Sequence, residues 1–190
     1  RRPESMTDRQ FTKLVAAEFC IQSTLRHPHL LRVVDLVRFS TDRWGQILEY
    51  CPGGDLHDRI RLGPLSYEEA GGILKQLLTG ITYMHRLGVA HRDIKPENIL
   101  FDAAGCVKIA DFGSAEVFRQ CWETRSNKTR GQAGSRPYMG PETFTGCWYD
   151  ARKADIWSCG IVYASMILGQ VPWQQADTAR DTLYRAFTIA

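Results

Sequence analysis

HRDIKPEN at residues 91–98, followed by DFG at 111–113, is the stretch that decides the reading of this chain. It gathers a carboxylate (Asp93), an amine (Lys95) and an amide (Asn98), with a second carboxylate (Asp111) downstream. Moving a phosphoryl group from Mg-ATP to a hydroxyl requires these group types: one carboxylate receives the hydroxyl proton, a carboxylate and an amide hold Mg²⁺, and a cation steadies the moving phosphate. Asp93 is expected as the base, because an alcohol is a poor nucleophile until a base meets its proton at close range. Lys95 would offset charge on the transferred group. Asn98 and Asp111 offer the hard oxygen ligands that suit Mg²⁺. Taken singly, each is an ordinary turn residue; four of them in this run argue for chemistry. His91 reads as a buried, hydrogen-bonded structural histidine, and Phe112 as packing beneath the nucleotide site and reporting the position of Asp111.

The rest of the chain bounds that reading. Its 190 residues are 44% hydrophobic and 24% charged, an ordinary globular composition. A net charge of +3 argues for neither nucleic acid nor a membrane surface. The basic run RQCWETRSNKTR at 119–130 reads as a solvated loop. Six cysteines (20, 51, 106, 121, 147 and 159) show no CxxC or Cys/His spacing, so neither a structural zinc nor disulfides are expected. The opening Arg1-Arg2-Pro3-Glu4 has no signal-peptide pattern, and a cytoplasmic location is expected. The longest apolar run, Cys159–Gly169, is shorter than the ~20 residues that span a bilayer, so no membrane span is expected.

Hydrophobic spacing predicts a helix over 7–25 (Phe11, Leu14, Val15, Phe19, Leu25), capped by Thr7 or Asp8 and ended by His27-Pro28. Strands are predicted at 30–38 and 44–50, joined by a turn at Ser40–Arg43. Cys51-Pro52-Gly53-Gly54 reads as a hinge between two lobes. Beyond it come a short helix at 55–62 and a long one, opened by the capping box Ser66-x-x-Glu69 and stopped by Gly88. A hairpin follows, with strands at 98–101 and 107–109 around a turn at Asp102–Gly105. Residues 111–142 read as a long polar loop of the functional or mobile kind. A central helix over 155–168 is predicted last.

On these motifs the chain resembles the eukaryotic-type protein kinases over essentially its whole length. The resemblance implies an α+β, two-lobed fold: a partial N-lobe at 1–50 and a mostly helical C-lobe at 51–190 that lacks its last helices. It implies ATP and Mg²⁺ as cofactors. Glu18, in EFCIQSTLRHPHLL, matches the helix glutamate that pairs with the ATP-anchoring lysine. By the match of ILEYCPGGDL, Leu48 is the gatekeeper, Glu49 and Cys51 offer backbone groups to adenine, and Asp55 holds the ribose. Leu100 forms the floor of the adenine pocket. Asp155 in DIWSCG braces the catalytic-loop backbone, and Ser135 in GSRPYMGPE hydrogen-bonds Asp93 and Lys95. KPEN in the catalytic loop matches serine/threonine rather than tyrosine kinases, so the implied substrates are proteins with Ser/Thr acceptors. Glu97 and Asp55 would favour basic residues near the acceptor. EYCPGGDL, GVAHRDIKPENIL and YDARKADIWSCGIVY are similar to the fungal halotolerance and nitrogen-permease-reactivator kinases. That likeness implies a role among regulators of membrane transporters.

Some positions depart from the family pattern. No GxGxxG loop and no Ala-x-Lys strand precede residue 91, and Lys13 is the one lysine ahead of Glu18. RRPES at 1–5 reads as the linker into the first helix, and the chain stops before the helices that complete the large lobe. Glu142 is therefore expected as a buried carboxylate without its arginine, at about 3–5 kcal/mol. Gly140 stands in place of an alanine and should loosen its turn, and Gln22 stands where an apolar residue is usual. Gly131 occupies the usual phosphothreonine position, with Thr124, Ser126 and Thr129 as nearby alternatives. Arg92 is expected to be available to a phosphate. Two readings follow: a serine/threonine kinase core, or a truncated, inactive kinase that docks partners.

Overall fold

The computed structural model of the protein describes residues 3, 5–40 and 42–189. Arg1, Arg2 and Glu4 of the expected linker, and Thr41 of the expected turn, lie outside the described residues. The fold is α+β and mostly helical after residue 50. The helices are α1 (Asp8–Thr24), α2 (Leu56–Arg61), α3 (Tyr67–Arg86), α4 (Ala151–Leu168) and α5 (Thr182–Ile189). Among the described residues, three two-stranded antiparallel sheets pair β1 (Val33–Ser40) with β2 (Arg43–Leu48), β3 (Val89–Ala90) with β6 (Glu116–Val117), and β4 (Ile99–Phe101) with β5 (Val107–Ile109).

Thr7, not Asp8, caps α1: its side chain accepts from the Gln10 amide and the Gln10 side chain accepts from the Thr7 amide. The expected apolar face is only partly covered. Phe11, Gln22 and the C-capping Leu25 are buried, while Leu14 is 51% exposed. The two-stranded sheet beside α1 is too narrow to cover a full stripe. Gln22 is satisfied despite its burial, because its amide donates to the Leu31 carbonyl at 3.1 Å. The first hairpin runs closer to its turn than expected, with Ser40 paired to Arg43, and β2 ends at Leu48.

The core lies between α3, α4 and the β4–β5 hairpin. Leu77, Ile81, Met84, Ile99, Val107, Ile109, Val162 and Met166 are all fully enclosed. Each such side chain contributes about 1.5–3 kcal/mol, so the helical part, not the sparse first sheet, carries most of the stability. α4 begins at Ala151, four residues before its expected start, because Asp150 accepts from the Arg152 amide as N-cap. Gly169, in the left-handed region, ends it as a C-terminal glycine should. The capping box of α3 is half formed. Ser66 accepts from the Glu69 amide, but the Glu69 carboxylate pairs with Arg59 on α2 instead of turning back to its own helix.

Residues 111–142 are not the featureless loop that polarity suggested. They hold β6 and a short 3-10 turn at Arg136–Tyr138, and a second turn, Pro141–Phe144, closes the segment. Phe118, Thr129, Tyr138 and Met139 are buried. Glu142 is only half-buried, so the expected buried-charge penalty does not arise there. Gly140 has an unstrained backbone (φ −67°), and a methyl group there would meet the Glu142 carboxylate.

Candidate active site

The site is assembled where the end of α3, the 91–98 loop and the 111–135 segment meet. α3 is followed, after its C-cap Leu87, by Gly88, whose positive φ turns the chain sharply; a side chain there would lie 2.1 Å from the Arg119 carbonyl. β3 then delivers the loop. Asp155 of α4, fully buried, braces it: Oδ2 accepts from the His91 amide at 2.9 Å and Oδ1 from the Arg92 amide at 2.8 Å. His85 Nε2 lies 2.7 Å from Oδ2. Arg92 is thereby held at φ +67°, an uncommon conformation for a residue with a side chain. His91 is fully buried, as expected. Its Nε2 meets the Ala110 carbonyl at 3.0 Å, and its Nδ1 accepts from the Asp93 amide at 3.3 Å. That pattern is the neutral Nε2–H tautomer, and burial accordingly pushes the imidazole below its ordinary value. Phe112 is buried with its ring 5.4 Å from that of His91.

Asp93, Lys95 and Ser135 form a closed triangle. Lys95 Nζ donates to Asp93 Oδ2 at 2.8 Å and to Ser135 Oγ at 3.0 Å. Asp93 Oδ1 accepts from the Ser135 amide at 2.9 Å and from its hydroxyl at 3.0 Å. Burial works to lower the Lys95 ammonium, but the hydrogen bond and charge of Asp93, with Glu97 and Asp111 beyond, outweigh it and hold the group above the usual lysine value. The approach is close because Gly134 stands over the loop at φ +93°, where any Cβ would fall 2.3 Å from the Arg92 carbonyl. Asn98 is buried, with Nδ2 donating to the Asp93 carbonyl at 2.9 Å, which leaves its amide oxygen for another partner. Asp111 is exposed at φ +62°, and its Oδ1 accepts from the Gly113 amide. Both offer hard oxygens, which fits Mg²⁺ by donor chemistry.

Glu18 faces the same region from α1. Gln46 Nε2 on β2 donates to it at 3.0 Å. Burial raises the Glu18 carboxyl above its usual range, the Gln46 bond opposes the rise, and the Asp111 charge adds to it. Among the described residues no cation pairs with it. Leu48, at the end of β2, borders a hollow of ≈ 350 Å³ with Glu18, Phe11 and Trp44. Glu49 is a strut that sequence reasoning missed: its carboxylate accepts from the Arg32 amide at 2.9 Å and lies 3.3 Å from Lys108 Nζ. The Glu49 amide is also taken, by the Arg32 carbonyl. Cys51 is half-buried beside the hinge. Gly53 and Gly54 bond the two faces of Phe101's backbone, so the hinge is tied to β4, and Leu100 lies next to Asp55 across an isolated bridge. Asp55 is the N-cap of α2, accepting from the Asp58 amide at 2.8 Å, a use of that carboxylate the sequence did not suggest.

The expectation that Arg92 stands free fails. Its guanidinium is 2.5 Å from Glu116 of β6 and 3.4 Å from the Tyr149 hydroxyl. Thr129, expected as an alternative phosphorylation position, is buried and donates to Glu116 Oε2 at 2.6 Å. These partners come from far along the chain, with no local signal beyond the place of Glu116 shortly after DFG.

A family model described as the protein kinase domain matches residues 2–189. The serine/threonine-protein kinase hal4 of Schizosaccharomyces pombe is 40% identical over 190 residues, covering 100% of this chain and 30% of that protein. The serine/threonine-protein kinase HAL4/SAT4 of Saccharomyces cerevisiae is 39% identical over 178 residues (93% and 30%). HAL5 of Candida glabrata is 44% identical over 169 residues (84% and 21%). The chain thus spans under a third of the length of these curated relatives. With the match running almost end to end, the chain belongs to the protein kinase domain family and resembles its fungal serine/threonine members.

Proposed function

We propose that this chain is the core of a serine/threonine protein kinase that transfers the γ-phosphoryl group of ATP to protein hydroxyls. The observation that supports it most is the Asp93–Lys95–Ser135 triangle. Asp93 is anchored on both oxygens and would take the proton of an incoming hydroxyl. Lys95, kept protonated by Asp93, would meet the transferred phosphoryl oxygens. Ser135 would shape the place where a Ser or Thr side chain enters. Asn98 and Asp111 would hold Mg²⁺, which when bound neutralises phosphate charge. Leu48, the Glu49 carbonyl, the Cys51 amide and Leu100 would enclose adenine, with Asp55 toward the ribose and Glu18 behind the phosphates. The lobe boundary in this reading falls at residue 51.

Substrate context is a further part of the proposal. Glu97 lines a groove with Ser135, Tyr138, His57 and Arg61. Arg61 and His57 offset the Glu97 charge in this groove, so a preference for basic residues would rest on Glu97 alone, Asp55 being engaged as a cap. Partners among regulators of membrane transporters, and a cytoplasmic location, rest on the resemblance to the fungal group; no helix among the described residues is long and apolar enough to cross a membrane.

The test is phosphotransfer from Mg-ATP to a basic Ser/Thr peptide by the protein at its full natural length. Asp93→Asn should lower kcat by roughly 10²–10⁴-fold, the range for a positioned base, with folding unchanged by circular dichroism. Asp111→Ala should abolish Mg-dependent ATP binding in calorimetry. Undiminished turnover in Asp93→Asn would sink the reading; a folded wild type that neither binds nor turns over ATP would leave partner docking as its role.

A further inference from the structure

Arg92 directly precedes Asp93, so whatever fixes Arg92 fixes the direction in which the Asp93 carboxylate points. Its backbone is held by Asp155. Its guanidinium is 15% exposed and carries a full charge that has to be met inside the fold. Glu116 meets it. The pairing of Ala90 with Glu116 in the β3–β6 ladder places this carboxylate two residues across from Arg92. Glu116 Oε2 accepts from Arg92 Nη1 at 2.5 Å and from Thr129 Oγ1 at 2.6 Å. The Tyr149 hydroxyl, 3.4 Å from Arg92 Nη2, donates to the Gly131 carbonyl at 2.9 Å. The Thr129 and Tyr149 backbones pair with each other, each amide donating to the other's carbonyl at 2.9 Å. Arg92 Nε is buried with no partner among the described residues. Among the described residues Glu116 is therefore the one anion paired with this guanidinium, and the surrounding network closes on it.

We propose that Glu116 is a positioning residue that acts through Arg92, and that it makes phosphotransfer independent of phosphorylation in the 111–142 segment. The proposal rests on the kinase reading above. An anion on the segment could order it by meeting Arg92, but that place is already filled from within the chain. Phosphate on Thr129 would require exposing a buried residue whose hydroxyl is bonded to Glu116, and would set a second anion against that carboxylate. The network then continues to the reacting groups. Thr129 and Gly131, tied to Glu116 and Tyr149, lead to Gly134 over the Arg92 carbonyl and to Ser135 on Asp93. The 91–98 loop and the segment are thus joined at two carboxylates, Glu116 on Arg92 and Asp93 on Ser135, and neither is a phosphate.

The test uses the protein at its full natural length, treated with a phosphatase until mass spectrometry finds no phosphate in residues 111–142. Peptide phosphotransfer should persist within about twofold, and should persist equally in the Thr124→Ala/Ser126→Ala double variant. Glu116→Gln should lower kcat roughly tenfold or more, because it leaves the Arg92 charge unmet and weakens a charge-assisted hydrogen bond, a loss expressed in the transition state. KM for ATP should stay within about twofold, and Glu116→Asp should recover part of kcat. Calorimetric ATP stoichiometry counts competent sites, so a merely structural role would lower the count and leave kcat per site intact. Activity lost on dephosphorylation overturns the proposal and leaves the kinase reading standing, as does a Glu116→Gln enzyme equal to wild type. No activity before or after treatment overturns both. Should Glu116→Gln fail to fold, the phosphatase result on wild type decides.

Discussion

Glu18 sits half in solvent with a neutral amide, Gln46, as its hydrogen-bond partner and a like charge, Asp111, nearby. Its carboxyl is held above the ordinary 4.5, first by burial. The native state then keeps that proton to higher pH than the unfolded chain does. Stability from this group is full below 4.5 and is lost as pH rises through the elevated folded value. Glu18→Gln imitates the protonated form. In this chain its Tm should exceed that of wild type at pH 7.5 and converge with it near pH 4, which differential scanning fluorimetry checks; a lower Tm at both pH values would contradict the assigned burial cost. The candidate site of Asp93, Lys95, Asn98 and Asp111 was legible because their types and spacing sit in the 91–98 run and the DFG motif that follows it. The use of the Glu49 carboxylate as a strut was not, since Lys108 and Arg32 are remote in sequence.

Among the elements, the link between α4 and the 91–98 loop carries the sharpest consequence. Asp155→Ala would leave the His91 and Arg92 amides without acceptors. At about 1–3 kcal/mol for each unsatisfied buried donor, the loss is roughly 2–6 kcal/mol, a large part of the ~5–15 kcal/mol of a typical domain. Urea denaturation should show that drop in midpoint, and a shift smaller than ~1 kcal/mol would mean the amides find other partners. Elements with strong local signals were readable from sequence: α3 by its Ser66 cap and apolar stripe, the β4–β5 hairpin by its turn. The β3–β6 pair was not. Each strand is two residues long, too short for any alternation, and exists only because the other is there. The start of α4 was missed for a related reason: Asp150 reads as a loop aspartate until its side chain is seen on the Arg152 amide.

For the molecule as a whole, acid should act in two steps. Burial holds His91 below its ordinary 6.5, and burial with the charge of His29 does the same to His27. Below 6.5 the unfolded chain binds these protons first, so stability present above 6.5 is lost as pH falls through the depressed folded values. A second loss should follow below 3.8, where Asp102, Asp150 and Asp181 are held low by backbone and arginine hydrogen bonds. Thermal melts across pH 3–8 read both steps, and His91→Phe should flatten the first. An unchanged slope between pH 6.5 and 5 in that variant would show that His91 is not the group being titrated.

By itself the sequence determined the family, the run of polar groups proposed to react and the order of the main helices. Those properties are written in residue types at short spacing, where caps, glycines and apolar periods act within a turn or two. Only the tertiary structure decided which charges meet. Arg92 with Glu116, Glu69 with Arg59 and Glu49 with Lys108 are each set by how distant segments pack. A charged or hydrogen-bonding group takes whichever partner the packed chain brings within about 3 Å, and sequence spacing carries no record of that distance.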